Sequence, residues 1–208
     1  MITTETAAVF FAASVLLALA PGPDILFVLA QSALHGRNAG FLVTLGLCTG
    51  LLGHTAAVAI GVAAVFQASA IAFTVLKLAG AAYLLWLAWQ VLRAPVEEQG
   101  GLAAPAASPG VLYRRGIVMN LTNPKVSIFF LAFLPQFADP ARGGIPLQMI
   151  ELGALFMLAT ALVFGAIAAL AGTLGQALAR SERVRKVMNR VAAAVFAGLA
   201  LRLIASGR

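Results

Sequence analysis

Two helix-breaking clusters stand where apolar helix should run on uninterrupted, and they constrain this chain more than any other feature. One is Pro21-Gly22-Pro23-Asp24; the other is Asn123-Pro124-Lys125. A proline inside a helix removes one N–H and clashes with the preceding turn, freeing carbonyls that lipid cannot satisfy. Such backbone is tolerated only where protein buries it or where it lines a wet cavity. The clusters are also in register. Pro124 follows Pro23, and Lys125 follows Asp24, by 101 positions in a chain of 208 residues. Broken apolar segments at matching positions of two halves are the best sequence pointer to a transporter's substrate site.

That reading requires lipid as the solvent, and composition supplies it. Apolar residues make up 62% of the chain and charged ones 10%, and the mean hydropathy is +0.98. A soluble domain carries about 25% charged and about 45–50% apolar residues, so no soluble fold of this size hides so much apolar surface. The net charge of +7 falls in short connections between apolar runs, with no basic stripe interleaved with aromatics. This argues against a nucleic-acid partner. Cys48, the only cysteine, has no second thiol to pair with.

Six candidate spans of about 20 apolar residues or more follow in order: Thr6 to Leu34, broken at Pro21-Gly22-Pro23; Ala39 to Val65; Ile71 to Leu92; Leu112 to Phe137, broken at Asn123-Pro124; Pro146 to Leu178; and Val184 to Ile204. Ala18-Leu19-Ala20 resembles a signal-peptidase site, but no Lys or Arg precedes it, so this segment is kept as the first span. Pro95, Gly100, Gly101, Pro105 and Pro109 mark a linker. The chain therefore divides into a first three-helix repeat (1–93), a linker (94–111) expected in the cytoplasm, and a second three-helix repeat (112–208), forming one all-α polytopic membrane domain. An odd number of spans per half inverts the second half relative to the first.

Orientation comes from Lys and Arg in the short loops. Nine (Arg37, Arg93, Arg114, Arg115, Arg180, Arg183, Arg185, Lys186 and Arg190) lie on one side against Arg142 and Arg208 on the other. Adding Lys77 and Arg202, both inside span ends, makes it nine to four. The richer side is cytoplasmic, and both termini are expected on the outer face.

Both breaks read as helix restarts with proline at the first helical position. Asp24 then sits in the first turn of a half-helix, where the helix dipole favours it, whereas Lys125 at the matching place is opposed. Each costs about 2.5–3.5 kcal/mol at the bilayer centre on the insertion scale, which implies a partner or a use. The expectation is that Asp24 and Lys125 approach each other between the halves, and the competing reading is a pair that merely pins two helices. A zwitterionic amino acid suits such a site. Its carboxylate would meet half-helix N–H groups or Lys125, its ammonium would meet Asp24 and freed carbonyls, and a protonatable Asp24 would couple transport to protons. The candidate substrate-binding residues are Pro21, Gly22, Pro23, Asp24, His54, Asn120, Asn123, Pro124 and Lys125, with Asp24 and His54 the proton-coupling candidates. His54 lies one turn after Gly50 on the presumed packing face, where an interhelical hydrogen bond competes with a relay role. Gln31, Thr44, Thr49, Thr122 and Thr160 are secondary cavity candidates. Gly46, Gly50, Gly53, Gly153, Gly165 and Gly172 read as close-packing positions, and Tyr83, Trp86 and Trp89 as interfacial anchors. Glu151 reads as interfacial. No metal site is expected, since no Cys/His cluster exists, and no cofactor is implied.

The stretches Pro21-Gly22-Pro23-Asp24, Lys77 to Leu84 (KLAGAAYL), Arg115-Gly116 with Asn120 to Lys125 (NLTNPK), and Phe130 to Phe137 (FLAFLPQF) together resemble the LysE/RhtB family of bacterial amino-acid exporters. Asp24, His54 and Lys125 make the chain look more like the RhtB branch, which handles homoserine, threonine and related substrates. The resemblance implies a six-span inner-membrane exporter driven by the proton gradient, often dimeric. Members of that family frequently carry an acidic residue followed by an aromatic in the middle of span five, where this chain has Phe164 and Ile167. That departure leaves a less polar substrate open. Two other classes compete. An intramembrane enzyme lacks support, for there is no paired-carboxylate site, His-rich motif, or Ser or Cys with an evident base. A channel or scaffold would not require a charged pair at matching positions.

Overall fold

The computed structural model describes residues 1–20, 22–68, 70–93, 107–170 and 182–205, and every regular element among them is helical. Helix α1 (Thr4–Leu19) starts at Thr3, whose hydroxyl accepts the Thr6 N–H, satisfying one of the open donors of the first turn. Helix α2 (Pro23–His35) begins with proline at its start and ends at Gly36, whose φ of 84° is the left-handed region that glycine enters without steric cost. That single residue turns the chain directly into α3 (Arg37–Ala68). Helix α4 (Ala70–Arg93) closes the first half.

The second half opens with α5 (Pro109–Thr122), with Ser108 at the N-cap position and no side-chain cap bond. The helix thus starts inside the stretch expected as linker, because Pro109 occupies a first-turn position that needs no donor. Residues 94–106 lie outside the described part. The restart after the second break is α6 (Pro124–Ile128), which runs on as a π-helical turn, Phe129–Phe133, and a 3-10 turn, Leu134–Phe137. Pro135 has no N–H to give the preceding turn, and the chain answers by bonding the Leu134 N–H to the Phe129 carbonyl. The loop that follows is held by fully buried Gln148. Its Nε2 donates to the carbonyls of Asp139 (3.0 Å) and Gly143 (2.6 Å), and its Oε1 accepts the Asp139 N–H (2.9 Å). Helix α7 (Ile145–Leu170) and helix α8 (Glu182–Ala205) complete the described chain.

Two of these helices are long and apolar enough to cross a membrane, over Arg37–Gly61 and Ile145–Leu170, and four qualify if each bent pair counts as one span. The bend is 61° between α1 and α2 and 50° between α5 and Pro124–Phe137. Helices α4 and α8 lie where spans three and six were expected. The distal part of the fifth expected span, including Gly172, falls outside the described residues.

Helix α3 packs against both α5 and α7, α4 packs against α8, and α1 packs against α7. Glycine makes the first of these crossings possible. A Cβ on Gly46 would collide with the Tyr113 carbonyl, and one on Gly116 with the Val43 carbonyl, so the two backbones touch as small-residue helix pairs do in lipid. Gly153 is pressed in the same way by Thr55.

The apolar interior forms two clusters. The smaller joins Ile25 and Val28 of α2, Val43 and Leu47 of α3, Leu112 of α5, and Phe164 and Ala168 of α7. The larger joins α1, the distal part of α3, the chain beyond the second break, the start of α7, α4 and α8. It carries most of the rings: Phe129 lies 4.9 Å from Phe133 and 5.1 Å from Phe156, while Phe10 meets Phe137 edge-on at 4.9 Å. Along α3 the changeover falls between Leu47 and Leu51, and along α7 between Phe156 and Phe164. In both broken segments it falls near the interruption.

Replacing Gly46 or Gly116 by leucine is expected to destabilise the protein by about 2 kcal/mol or more through overpacking. Gly61→Ala, at a helical glycine with nothing within 4 Å of the added methyl, is expected to be neutral or to add up to about 1 kcal/mol. Thermal unfolding in detergent measures both.

Candidate functional site

The two restarts bring their polar residues to one buried level between the clusters. Gly22 is the N-cap of α2 and Pro23 its first residue; Pro21 lies outside the described residues. Asp24 follows in the first turn, only 3% exposed, with the α2 dipole in its favour. Asn123 both ends α5 and caps α6, its Oδ1 accepting the Lys125 N–H at 3.0 Å. The amide orientation is thereby settled, and Nδ2 faces the opposite way. Asn120, Asn123, Lys125 and His54 surround the Asp24 carboxylate, whose Oδ1 is buried without a hydrogen-bond partner.

The expected approach of Asp24 and Lys125 takes a different form from a direct ion pair. Lys125 Nζ donates to the carbonyls of Ala20 (3.1 Å) and Leu17 (3.3 Å) at the end of α1. Both carbonyls lie at the C-terminal end of α1, the negative end of its dipole, and that of Leu17 also takes the Ala20 N–H at 3.2 Å. The lysine opposed by its own half-helix has found the favourable end of another. Gly22 leaves it room, since a Cβ there would stand 3.1 Å from Nζ.

The second break is closed in the same manner from the other side. The Asn120 carbonyl accepts the Asn123 N–H at 3.1 Å and meets His54 Nε2 at 3.1 Å. A carbonyl only accepts, so His54 carries its proton on Nε2 in this contact. Its ring rests 5.5 Å from that of Phe130. Gly50, one turn earlier on α3, seats Asn120: a Cβ at Gly50 would stand 2.8 Å from the asparagine's Cβ and Oδ1. Each half of the chain thus provides the donor that closes the broken helix of the other.

Of the residues singled out from sequence, Gly22, Asp24, His54, Asn120, Asn123 and Lys125 come together, and Pro23 and Pro124 frame them. The secondary candidates do not converge in the same way. Thr44, Thr49 and Thr122 donate to carbonyls one turn back in their own helices, and Thr49 also pairs with Tyr113 at 3.0 Å. Gln31 and Thr160 are buried. Glu151 accepts the Ile2 N–H at 2.9 Å, tying the start of the chain to α7. Trp86 and Trp89 are about half exposed, with Arg93 3.9 Å over the Trp89 ring, as anchors would be. The Tyr83 hydroxyl is instead buried without a partner. What sequence reasoning missed are the backbone acceptors of Leu17 and Ala20 and the seat at Gly50. The one available signal was a lysine in register with an aspartate, each directly after the proline of its break.

The family model of LysE-type translocators matches residues 15–207. A homoserine/homoserine lactone efflux protein of Salmonella typhi is 35% identical over 195 residues, covering 94% of this chain and 93% of the relative. An uncharacterized membrane protein of Vibrio cholerae is 34% identical over 190 residues (91% and 92%). A leucine efflux protein of an Enterobacter species is 28% identical over 186 residues (89% and 88%). No solved structure matches the chain. With apolar helices and relatives of this kind, it is a multi-pass membrane protein, and the chain belongs to the LysE-type translocator family.

Proposed function

We propose that this protein is a secondary-active exporter of amino acids or close derivatives, of the homoserine, threonine or small neutral type, across the bacterial inner membrane. The observation that carries the reading is the meeting of two broken helices in one buried polar level. Asp24, Asn120, Asn123 and Lys125 are buried there with half-buried His54 beside them, and the carbonyls of Leu17, Ala20 and Asn120 at the breaks are met by protein donors. Relatives named for export of homoserine, homoserine lactone and leucine support the substrate class.

In this reading residues 1–93 and 112–208 are inverted three-helix repeats joined by a cytoplasmic linker at 94–111, with both termini outside. The packing supports it. Exchange of the halves maps the α1–α7 contact onto the α5–α3 contact and leaves the α3–α7 and α4–α8 contacts in place. Alternating access would rock one repeat against the other about the level of the breaks, with Asp24, assisted by His54, taking up the coupling proton. A second copy of the chain is the remaining proposed partner. One observation favours part of the competing structural reading: Lys125 is bonded to the carbonyls of α1, so it pins the halves together.

Three outcomes are expected. In proteoliposomes, flux of L-homoserine or L-leucine saturates and falls about tenfold when an imposed pH gradient is collapsed; gradient-independent ion current would instead indicate a channel, and product formation without flux an enzyme. Asp24→Asn inserts and unfolds like the parent but loses at least about 100-fold in flux, in line with losing a charged partner worth about 3 kcal/mol; intact transport would remove Asp24 from the site. In a Cys48→Ala background, Ser108→Cys reacts with an impermeant thiol reagent only from the cytoplasmic side and Arg142→Cys only from outside. Labelling of both from one side would overturn the proposed topology.

A further inference from the structure

His54 stands where the aromatic cluster meets the second break. Its Nε2–H bonds to the Asn120 carbonyl at 3.1 Å, and its ring lies against that of Phe130. One hydrogen bond does not fix an imidazole. A half-turn about χ2, a broad torsion for histidine, would put Cε1 where Nε2 now stands, and the side chain is only half-buried. The Phe130 ring supplies the second point of attachment. The two centroids are 5.5 Å apart and the planes tilted by 38°, within the range of attractive aromatic pairs.

Phe130 is itself held. It is fully buried, meets Phe156 of α7 edge-on at 5.2 Å and Phe129 at 6.3 Å, and belongs to the π-helical turn Phe129–Phe133. Single π-helical turns inside helices are frequent at functional sites. A line of contacts therefore runs from Phe156 through Phe130 and His54 to the Asn120 carbonyl near the end of α5. The first break is closed differently, by an ammonium that two carbonyls fix at once. Phe133, in the same π-helical turn and 1% exposed, directs its ring at Phe129 (4.9 Å) and Phe137 (5.0 Å).

We propose that Phe130 is a positioning residue for the second break: its ring holds the His54 imidazole with Nε2–H on the Asn120 carbonyl, so that the long-range bond at the end of α5 persists only while the aromatic cluster is packed. Cover and break are then one unit. Disturbing the rings frees His54, and the Asn120 carbonyl keeps the Asn123 N–H alone. The functional part rests on the export reading: loosening of the ring-rich cover reaches the polar level around Asp24 and Lys125 through His54.

Histidine-selective 15N NMR of the full-length protein in detergent tests the proposal, because the chain has two histidines and His35→Gln identifies the His54 signals. At about pH 8, above the ordinary histidine range, the parent is expected to show a His54 Nε2–H protected from exchange with water. Phe130→Leu is expected to exchange it at least about tenfold faster. Phe133→Leu, which removes a ring from the same turn at the same depth, is expected to change it by less than about threefold. Phe130→Met, unbranched and able to refill the space without a ring, is expected to behave like Phe130→Leu and replaces it should the leucine variant not fold. Equal changes in the Phe130 and Phe133 variants, or none in either, would make Phe130 ordinary packing and overturn the inference, as would a parent protonated on Nδ1 alone. Leucine flux in proteoliposomes is expected to fall at least about tenfold further in Phe130→Leu than in Phe133→Leu. Faster exchange in Phe130→Leu with no flux in the parent keeps the positioning role and removes export; saturable parent flux with exchange unchanged in Phe130→Leu does the reverse.

Discussion

The fold depends on how two interrupted helices dispose of the carbonyls that their prolines release. Leu17, Ala20 and Asn120 are buried, so their acceptors must be met by protein. Helix α1 ends on carbonyls taken by the Lys125 ammonium, and α5 ends on a carbonyl taken by the His54 ring. Both donors come from the other half of the chain, so docking of the halves completes a closure that the Ala20 N–H on Leu17 and the Asn123 N–H on Asn120 begin within each half. A hydrogen bond to a charged group contributes about 1.5–3 kcal/mol, more than a neutral one, and here it also fixes how the halves meet. The glycine contacts of α3 with α5 allow the approach that these long-range bonds require.

The same arrangement explains why the polar level can be both held and unfinished. Lys125, His54 and the backbone of Asn123 are engaged in closing helices, while one oxygen of Asp24 and the amide nitrogen of Asn123 are left over. Polar residues that look alike in a sequence thus differ in whether the structure pairs them. The ring-rich cluster built on Phe129, Phe130, Phe133 and Phe156 covers the level from one side, and a smaller, mostly aliphatic cluster covers it from the other. In the proposed orientation the rings lie on the outer side. The π-helical turn belongs to that covering, and it arises from Pro135 rather than from the break itself.

Much of this was legible in advance. Apolar run lengths placed the helices to within a few residues, because in lipid a helix is the only open segment that satisfies its own backbone. Pro23 and Pro124 marked restarts, because proline is compatible with a first turn and not with a later one. Asp24 and Lys125 stood out because isolated charges in apolar chain are expensive. His54 was placed on the correct face by its spacing from Gly50, although spacing could not say that its acceptor is the Asn120 carbonyl. The start of α5 at Pro109 was obscured by a glycine- and proline-rich approach that reads as linker until the Val111 and Leu112 N–H groups are seen bonded to the Ser108 carbonyl.

Periodicity, breaker positions and charge cost are local properties, and they established an all-helical membrane chain with two matched interruptions. Partnership is not local. Lys125 is 105 residues from Ala20 and 108 from Leu17, and backbone carbonyls carry no signature in a sequence, since every residue has one. Opposite charges at matched positions therefore suggested a simple pair, while packing sent the ammonium to the end of α1 and left the carboxylate with an open acceptor. The reason lies in competition between acceptors: a helix C-terminus buried without donors outbids a carboxylate that already sits at a helix N-terminus among two asparagines.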